Sequence, residues 1–332
     1  MHSPVPPAAA VAPETDEKSA SGGGTKRSSQ GPIGFVGLGR MGKVMAANLA
    51  AAGHKVMAYV RRREQMEPLA ALRLDPRTDI ADLFDCEVVI TMLPDDKAVR
   101  DIVLGPQDFP PGGLAAGMMP GAIHLSMSTI STATASQLAR ELAHYRQGYV
   151  AAPVFGNPDA ARARELFIIA AGATADLDRC RPIFDALGQQ VFRVGSDPAM
   201  ANLVKLAGNA MSAATLEVLG EILALARKRD CDPRQLLAIL TGTMFGSRIH
   251  KIYGKKIAEQ QYGSGGFVFP LALKDVRLAL NEAELAGVPM PSLSVVRDRL
   301  ITGIARGYSG RDWSALGMLA AEEAGLHGKT VN

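Results

Sequence analysis

The stretch Ile33-Gly34-Phe35-Val36-Gly37-Leu38-Gly39-Arg40-Met41-Gly42 decides the fold. Its first four residues predict a buried strand and its spaced glycines predict a turn. The run KVMAANLAAA that follows predicts a helix, stopped by Gly53 as a C-terminal cap. Strand, glycine turn and helix start, in this order, make a dinucleotide-binding site. Gly37 permits the tight turn, Gly39 lets the backbone approach a pyrophosphate, and Gly42 lets the helix pack close to the strand. The backbone at Leu38, Arg40 and Met41 then offers free N–H groups and a positive dipole end to phosphates.

The second strand ends at Val60-Arg61-Arg62-Arg63. A carboxylate at that place accepts hydrogen bonds from the ribose hydroxyls of NAD. A guanidinium instead pairs with the 2′-phosphate of NADP, which a carboxylate would repel. Arg61 and Arg62 therefore favour NADP over NAD, and Arg63 reads as a solvated helix start.

The chain has 332 residues, 47% of them hydrophobic, enough for two domains with real cores. A formal charge of +3 and the lack of a broad basic stripe do not imply nucleic acid. No uninterrupted apolar stretch has the length of a membrane span. Cys86, Cys180 and Cys231 are far apart, with no CxxC or zinc spacing, and the six histidines do not cluster. Reduced thiols, a cytoplasmic location and no metal are the expectation. Residues 1–30 are rich in Ala, Pro, Ser, Gly and Thr, and they read as a disordered tail without a targeting pattern.

From 31 to 195, short apolar runs alternate with helical patterns. Strands are expected at 33–36, 55–59, 88–92, 122–126, 149–152, 166–171 and 190–194. Helices are expected between most of them, as at 40–52 and 132–145. That alternation predicts an α/β fold with a Rossmann-type, doubly wound, mostly parallel sheet, with ligand beyond the carboxyl ends of its strands. From 196 to 332 the strands stop. Helices are expected at 198–227, 233–240, 247–260, 270–286 and 292–307 and after Trp313, giving an all-helical second domain for substrate binding and oligomerisation.

The helix from Pro198 is apolar almost all round, as a helix buried in a core or between subunits would be. Yet Asn202, Lys205, Asn209 and Ser212 recur at spacings of three, four and three, on one face. A narrow polar stripe on a buried helix needs partners or a cavity. Burial lowers the pKa of a lysine toward neutrality, which suits proton transfer at pH 7. The alternative is a stem that packs while its ammonium reaches water.

With these motifs assembled, the chain resembles the β-hydroxyacid dehydrogenases, among them 3-hydroxyisobutyrate dehydrogenase, tartronate semialdehyde reductase and glyoxylate/succinic semialdehyde reductases. The resemblance runs over about residues 31 to 325. It implies a cofactor domain of the 6-phosphogluconate dehydrogenase type. GFVGLGRMGKVMAANL matches the opening signature. TMLPD at 91–95 resembles the loop whose Leu93 and Pro94 lie along the cofactor, and HLSMSTIS resembles the segment placing Ser128 and Thr129 near the nicotinamide. Lys205-Leu206-Ala207-Gly208-Asn209 matches the motif of the proton-transfer lysine, with Asn209 holding that lysine or the substrate oxygen. Leu273-Lys274-Asp275-Val276 matches the motif whose lysine, Lys274, reaches the cofactor across the cleft. DWSALG near the C-terminus also fits.

One departure bears on the substrate. The family's Pro-Val-Ser-Gly-Gly is here Pro153-Val154-Phe155-Gly156-Asn157. A serine that would donate to a substrate carboxylate is replaced by Phe155, and Asn157 offers amide donors instead. The ring either lines the pocket or turns into the core. The resemblance thus implies an NADP-dependent oxidoreductase, with Lys205 as proton donor or acceptor and Ser128, Phe155, Gly156, Asn157 and Asn209 around the substrate. A small semialdehyde or 3-hydroxy acid is the default substrate. Reduction of an imine on a more hydrophobic substrate is the alternative. A module that binds cofactor without catalysis, serving assembly, is a third reading, and the intact lysine motif opposes it. A homodimer or homotetramer is expected, with no nucleic-acid or membrane partner.

Overall fold

Strand β1 (Ile33–Val36) is buried at every residue, as its apolar run requires. In the computed structural model, which describes residues 31–105, 113–264 and 266–326, β1 lies at the centre of a parallel sheet. The other members are β2 (Val56–Tyr59), β3 (Asp75–Arg77), β4 (Val88–Thr91), β5 (Ile123–Ser126) and β6 (Gly148–Ala151). The order β3-β2-β1-β4-β5-β6 reverses direction between β1 and β4, and a crevice opens there beyond the strand ends.

Helices α1 (Arg40–Ala51), α2 (Met66–Ala70), α3 (Asp96–Val103), α4 (Gly113–Gly117), α5 (Thr132–His144), α6 (Pro158–Arg162) and α7 (Thr174–Leu187) connect the strands. Two buried clusters, led by Phe35, Met45 and Leu125 on one face and by Val89, Leu114 and Leu138 on the other, fill the two sides of the sheet.

Two expectations about the sheet are corrected. The strands expected near 166–171 and 190–194 do not extend the main sheet. As β8 (Leu166–Ala170) and β9 (Gly188–Arg193) they form a second, three-stranded sheet with β7 (Val154–Phe155), which runs antiparallel to β8. An antiparallel bridge between Ala151 and Ala171 couples the two sheets. Strand β3 was not expected, because Asp75-Pro76-Arg77 has no apolar alternation. It survives as an edge strand paired to β2, where a proline is tolerated. The expected tail, residues 1–30, lies outside the described residues.

After β9 the described chain is helical: α8 (Pro198–Lys228), α9 (Pro233–Gly242), α10 (Arg248–Ala258), α11 (Phe269–Leu285), α12 (Pro291–Ala305) and α13 (Leu316–Glu323). These bounds fall within three residues of those read from the sequence, a spread close to that expected at fraying helix ends. Asp197 caps α8 by accepting from Ala199 N at 3.0 Å. With 31 residues, α8 is about 46 Å long at 1.5 Å per residue. Helices α9 to α13 pack around it, and α5 of the first domain packs on it as well. It is long and apolar enough to cross a bilayer, but half of its most apolar window is buried in this bundle. One face stays uncovered, with Leu203, Met211, Val218 and Leu225 exposed along it.

Candidate active site

The glycine turn has the geometry its spacing predicts. Gly37 has φ of 99°, and a Cβ there would lie 2.3 Å from the Met92 carbonyl oxygen. A Cβ on Gly42 would meet the Gly37 carbonyl oxygen at 1.9 Å, so only glycine lets α1 start this close to the turn. At Gly39 a Cβ would meet nothing within 4 Å, and that side of the turn is open. Helices α3, α5 and α6 each carry a side-chain cap, from Asp95, Ser131 and Asn157. Helix α1 has none. Its first N–H groups are left for a ligand from outside the helix.

A cleft of about 650 Å³ opens beside this turn, between the two domains. Gly39, Arg40, Met41, Gly42, Leu93, Pro94 and Thr129 line its first-domain wall. Phe155, Gly156 and Asn157 stand further along, and Lys205, Asn209 and Lys274 face them from α8 and α11. The cleft thus brings together most of the residues singled out in the sequence. Gly37 and Leu38 do not line it. Arg61 and Arg62 are exposed just past the end of β2, outside the cleft. Ser128 is 1% exposed and does not line the cleft. Its hydroxyl accepts from Leu93 N at 2.8 Å and donates to Thr91 O at 3.3 Å, fixing the loop that carries Leu93 and Pro94.

A chain of hydrogen bonds and one ion pair crosses the cleft. Lys205 Nζ donates to Asn209 Oδ1 at 2.9 Å, one turn along α8. Asn209 Nδ2 donates to Asp275 Oδ2 at 2.6 Å on α11. Asp275 Oδ1 pairs with Lys274 Nζ at 2.7 Å, and Lys274 Nζ donates to Thr129 O at 2.6 Å on the opposite domain. Lys205 is 8% exposed and Asp275 3%. Burial pushes the Lys205 ammonium down to about 8; the Asp275 carboxylate works against that fall and the Lys274 ammonium adds to it. In the sequence Asp275 is a residue of the Lys274-Asp275 motif with no role of its own. Its role depends on the packing of α11 against α8, which no local spacing shows.

The ring of Phe155 lines the cleft, and Lys205 Nζ stands 4.5 Å from its centroid. The ring rests on α8 at Gly208, where a Cβ would meet Phe155 Cζ at 2.3 Å. Gly156 has φ of 146°, and a Cβ there would lie 2.5 Å from Leu166 Cδ2. Asn157 Oδ1 accepts from Ala160 N at 2.9 Å as the cap of α6, which leaves the amide nitrogen as its donor. Opposite, Trp313 packs edge-on against Phe267 and Tyr253, with centroids 4.9 and 5.6 Å apart. Buried Asp312 holds this wall by accepting from Phe267 N at 3.1 Å, which gives the DWSALG segment a structural purpose. The mouth is bridged twice, by Arg40 Nη1 donating to Gly266 O at 3.2 Å and by an Arg248–Glu165 ion pair at 3.0 Å.

A doubly wound domain with an uncapped helix at its glycine turn, closed against a helical domain that presents a buried lysine, defines a dinucleotide-dependent dehydrogenase. Comparison with known proteins agrees. Residues 32–195 match the model of the NAD binding domain of 6-phosphogluconate dehydrogenase. Residues 199–321 match that of the NAD-binding region of NADP-dependent 3-hydroxyisobutyrate dehydrogenase. The chain is 35% identical over 288 residues to an uncharacterised oxidoreductase, YfjR, of Bacillus subtilis, covering 86% of this chain and 98% of that one. It is 29% identical to 2-hydroxy-3-oxopropionate reductase of Escherichia coli, over 86% and 95% of the two chains. A solved structure of 3-hydroxyisobutyrate dehydrogenase from Mycobacterium tuberculosis, with L-serine, superposes with a TM-score of 0.77 at 25% identity, over 87% and 99% of the chains. The chain belongs to the β-hydroxyacid dehydrogenase family and is an NAD(P)-dependent oxidoreductase of that type.

Proposed function

We propose that this chain interconverts a carbonyl compound and its alcohol with NADP(H), and that Lys205 is the group that moves the proton. The carrying observation is the placement of Lys205 in the cleft. It is buried, tied to Asn209, lowered to about 8, and faces the wall built by the turn at Gly39 and the start of α1.

The residues present fit a dinucleotide, because α1 begins without a side-chain cap beside the open side of Gly39. Gly39, Arg40, Met41 and Gly42 would hold its pyrophosphate, with Gly37 and Leu38 shaping the turn behind. Leu93, Pro94, Thr129 and Lys274 would border the nicotinamide end, and Arg61 and Arg62 would pair with a 2′-phosphate. When bound, the dinucleotide supplies the hydride that reaches the carbonyl carbon, or takes it up in the reverse direction. Lys205 gives its proton to the carbonyl oxygen during reduction and takes it from the alcohol during oxidation. Asn209 fixes the Lys205 ammonium, and Asp275 fixes Asn209. Gly156 and Asn157 would hold the rest of the substrate beside Phe155, and Ser128 acts from behind by holding the Leu93 loop.

The relatives' small semialdehydes and 3-hydroxy acids set the class from which assays start. The ring of Phe155 in the cleft favours, as a second reading, an imine with hydrophobic substituents. Solved reductive aminases and an imine reductase share the fold at TM-scores of 0.55 and identities near 20%. Oxidation of NADPH with glyoxylate or succinic semialdehyde tests the first reading. Lys205→Met should lower kcat by about 10²–10⁴-fold and leave NADPH binding unchanged. Turnover that survives this substitution would move the proton donor elsewhere.

A further inference from the structure

The cleft holds four cations among the described residues, and each already has a protein acceptor. Arg40 donates to Gly266 O, Arg248 pairs with Glu165, Lys205 donates to Asn209, and Lys274 is held by Asp275 and Thr129 O. The Ser128 hydroxyl directs its single proton to Thr91 O, outside the cleft. Beside Lys205 stands the ring of Phe155 in place of a hydroxyl donor. The ring cannot sink further toward α8, because it already rests on Gly208. Tyr253, Phe267, Leu271 and Trp313 line the cleft as well, a wall of rings and apolar side chains. The side-chain donors left in the cleft are neutral, among them the amide of Asn157 beside Phe155 and Trp313 Nε1, which has no hydrogen-bond partner. Arg40 and Lys205 meet only neutral oxygens, but Arg40 stands at the glycine turn and Lys205 serves the reacting oxygen, so a carboxylate arm packed against Phe155 would lose hydration without a cation of its own, and a charge buried on such terms is unfavourable. An apolar group entering the same space gains free energy from the area it buries.

We propose that the substrate of this site is an uncharged aldehyde or ketone whose carbonyl carbon carries an apolar, ring-sized substituent packed against Phe155, in place of the carboxylate-bearing arm of a semialdehyde acid. The proposal rests on the reading of the site as a carbonyl reductase and narrows its substrate. Phe155 sets the specificity, and Lys205 serves the carbonyl oxygen in either case.

The test uses the full chain with NADPH and two probes, 3-phenylpropanal and succinic semialdehyde, compared by kcat/KM. The wild-type protein should favour 3-phenylpropanal by roughly tenfold or more, the scale of one hydrogen bond to a charged group. Phe155→Ser should lower that ratio by a similar factor. Phe155→Leu, which keeps an apolar side chain in the same packed position, should retain the preference. It serves in place of the serine variant if that one does not fold. A wild-type preference for succinic semialdehyde, or a ratio unchanged in Phe155→Ser, overturns the proposal and leaves the carbonyl-reductase reading standing. Reduction of a cyclic imine with neither aldehyde turned over overturns that reading, and this proposal with it.

Discussion

Asp275→Asn is the most demanding perturbation of the proposed proton transfer by Lys205. The substitution keeps a side-chain oxygen to accept from Asn209 Nδ2 and removes one negative charge. Lys205 reaches Asp275 through Asn209, over hydrogen bonds of 2.9 and 2.6 Å. With the amide between them the two charges are about 7 Å apart, where unit charges interact by about 2 kcal/mol at an effective dielectric of about 20. Since about 1.4 kcal/mol corresponds to one pH unit, losing the carboxylate should move the Lys205 titration by roughly one to two units. The direction is fixed by sign. Asp275 favours the charged ammonium, so its neutralisation lets burial and the neighbouring Lys274 lower Lys205 further.

The assay is the pH profile of kcat in both directions. Reduction requires protonated Lys205, so the wild-type rate should be flat at low pH and fall as pH passes about 8. Oxidation requires the neutral amine and should rise through the same midpoint. In Asp275→Asn both midpoints should fall to roughly pH 6 to 7, and reduction at neutral pH should slow while oxidation there does not. A merely structural contribution of Asp275 would lower both directions together and leave the midpoints in place. Midpoints that stay where they are, or that move to higher pH, refute the assignment of Lys205 as the titrating donor or of Asp275 as its partner.

Two further outcomes are expected. Arg61→Ala should weaken NADPH binding by roughly tenfold or more, the worth of one charge-assisted contact, and leave NADH unchanged; fluorescence titration checks this, and equal dissociation constants for the two cofactors in the wild-type protein would refute it. Self-association through the uncovered face of α8 is proposed from Met211, 73% exposed, and Leu225, 62% exposed; light scattering should find a dimer or larger species in the wild type and a smaller one in Met211→Asp, and a wild-type monomer across concentrations would refute it.

The parts legible in the sequence are those in which one segment carries its own physics. The turn at Gly37, Gly39 and Gly42 is local: a strand, a left-handed glycine and a helix start define each other within ten residues. The stripe of Asn202, Lys205, Asn209 and Ser212 follows from the period of one helix, and the structure places Lys205, Asn209 and Ser212 on the cleft. What the sequence concealed is set by packing between segments. Asp75-Pro76-Arg77 becomes a strand because β2 offers it an edge. The strands near 166 and 190 look like members of the first sheet, and it is the antiparallel return of β7 on β8 that separates them.

Phe155 and Gly208 show the same limit inside the site. Each is conspicuous alone, one as a departure in the loop after Pro153, the other as a spacer between Lys205 and Asn209. Nothing in their spacing says that they meet. The second sheet fixes where β7 presents Phe155, opposite Phe167 on β8, and α8 arrives with a glycine one turn below the Lys205 ammonium. An alanine at 208 would put its Cβ 2.3 Å from the ring and force it away from the helix. The absent side chain on α8 therefore makes room for the extra one on β7. Together they place an aromatic face beneath Lys205, so the loop departure belongs to the same apparatus as the lysine.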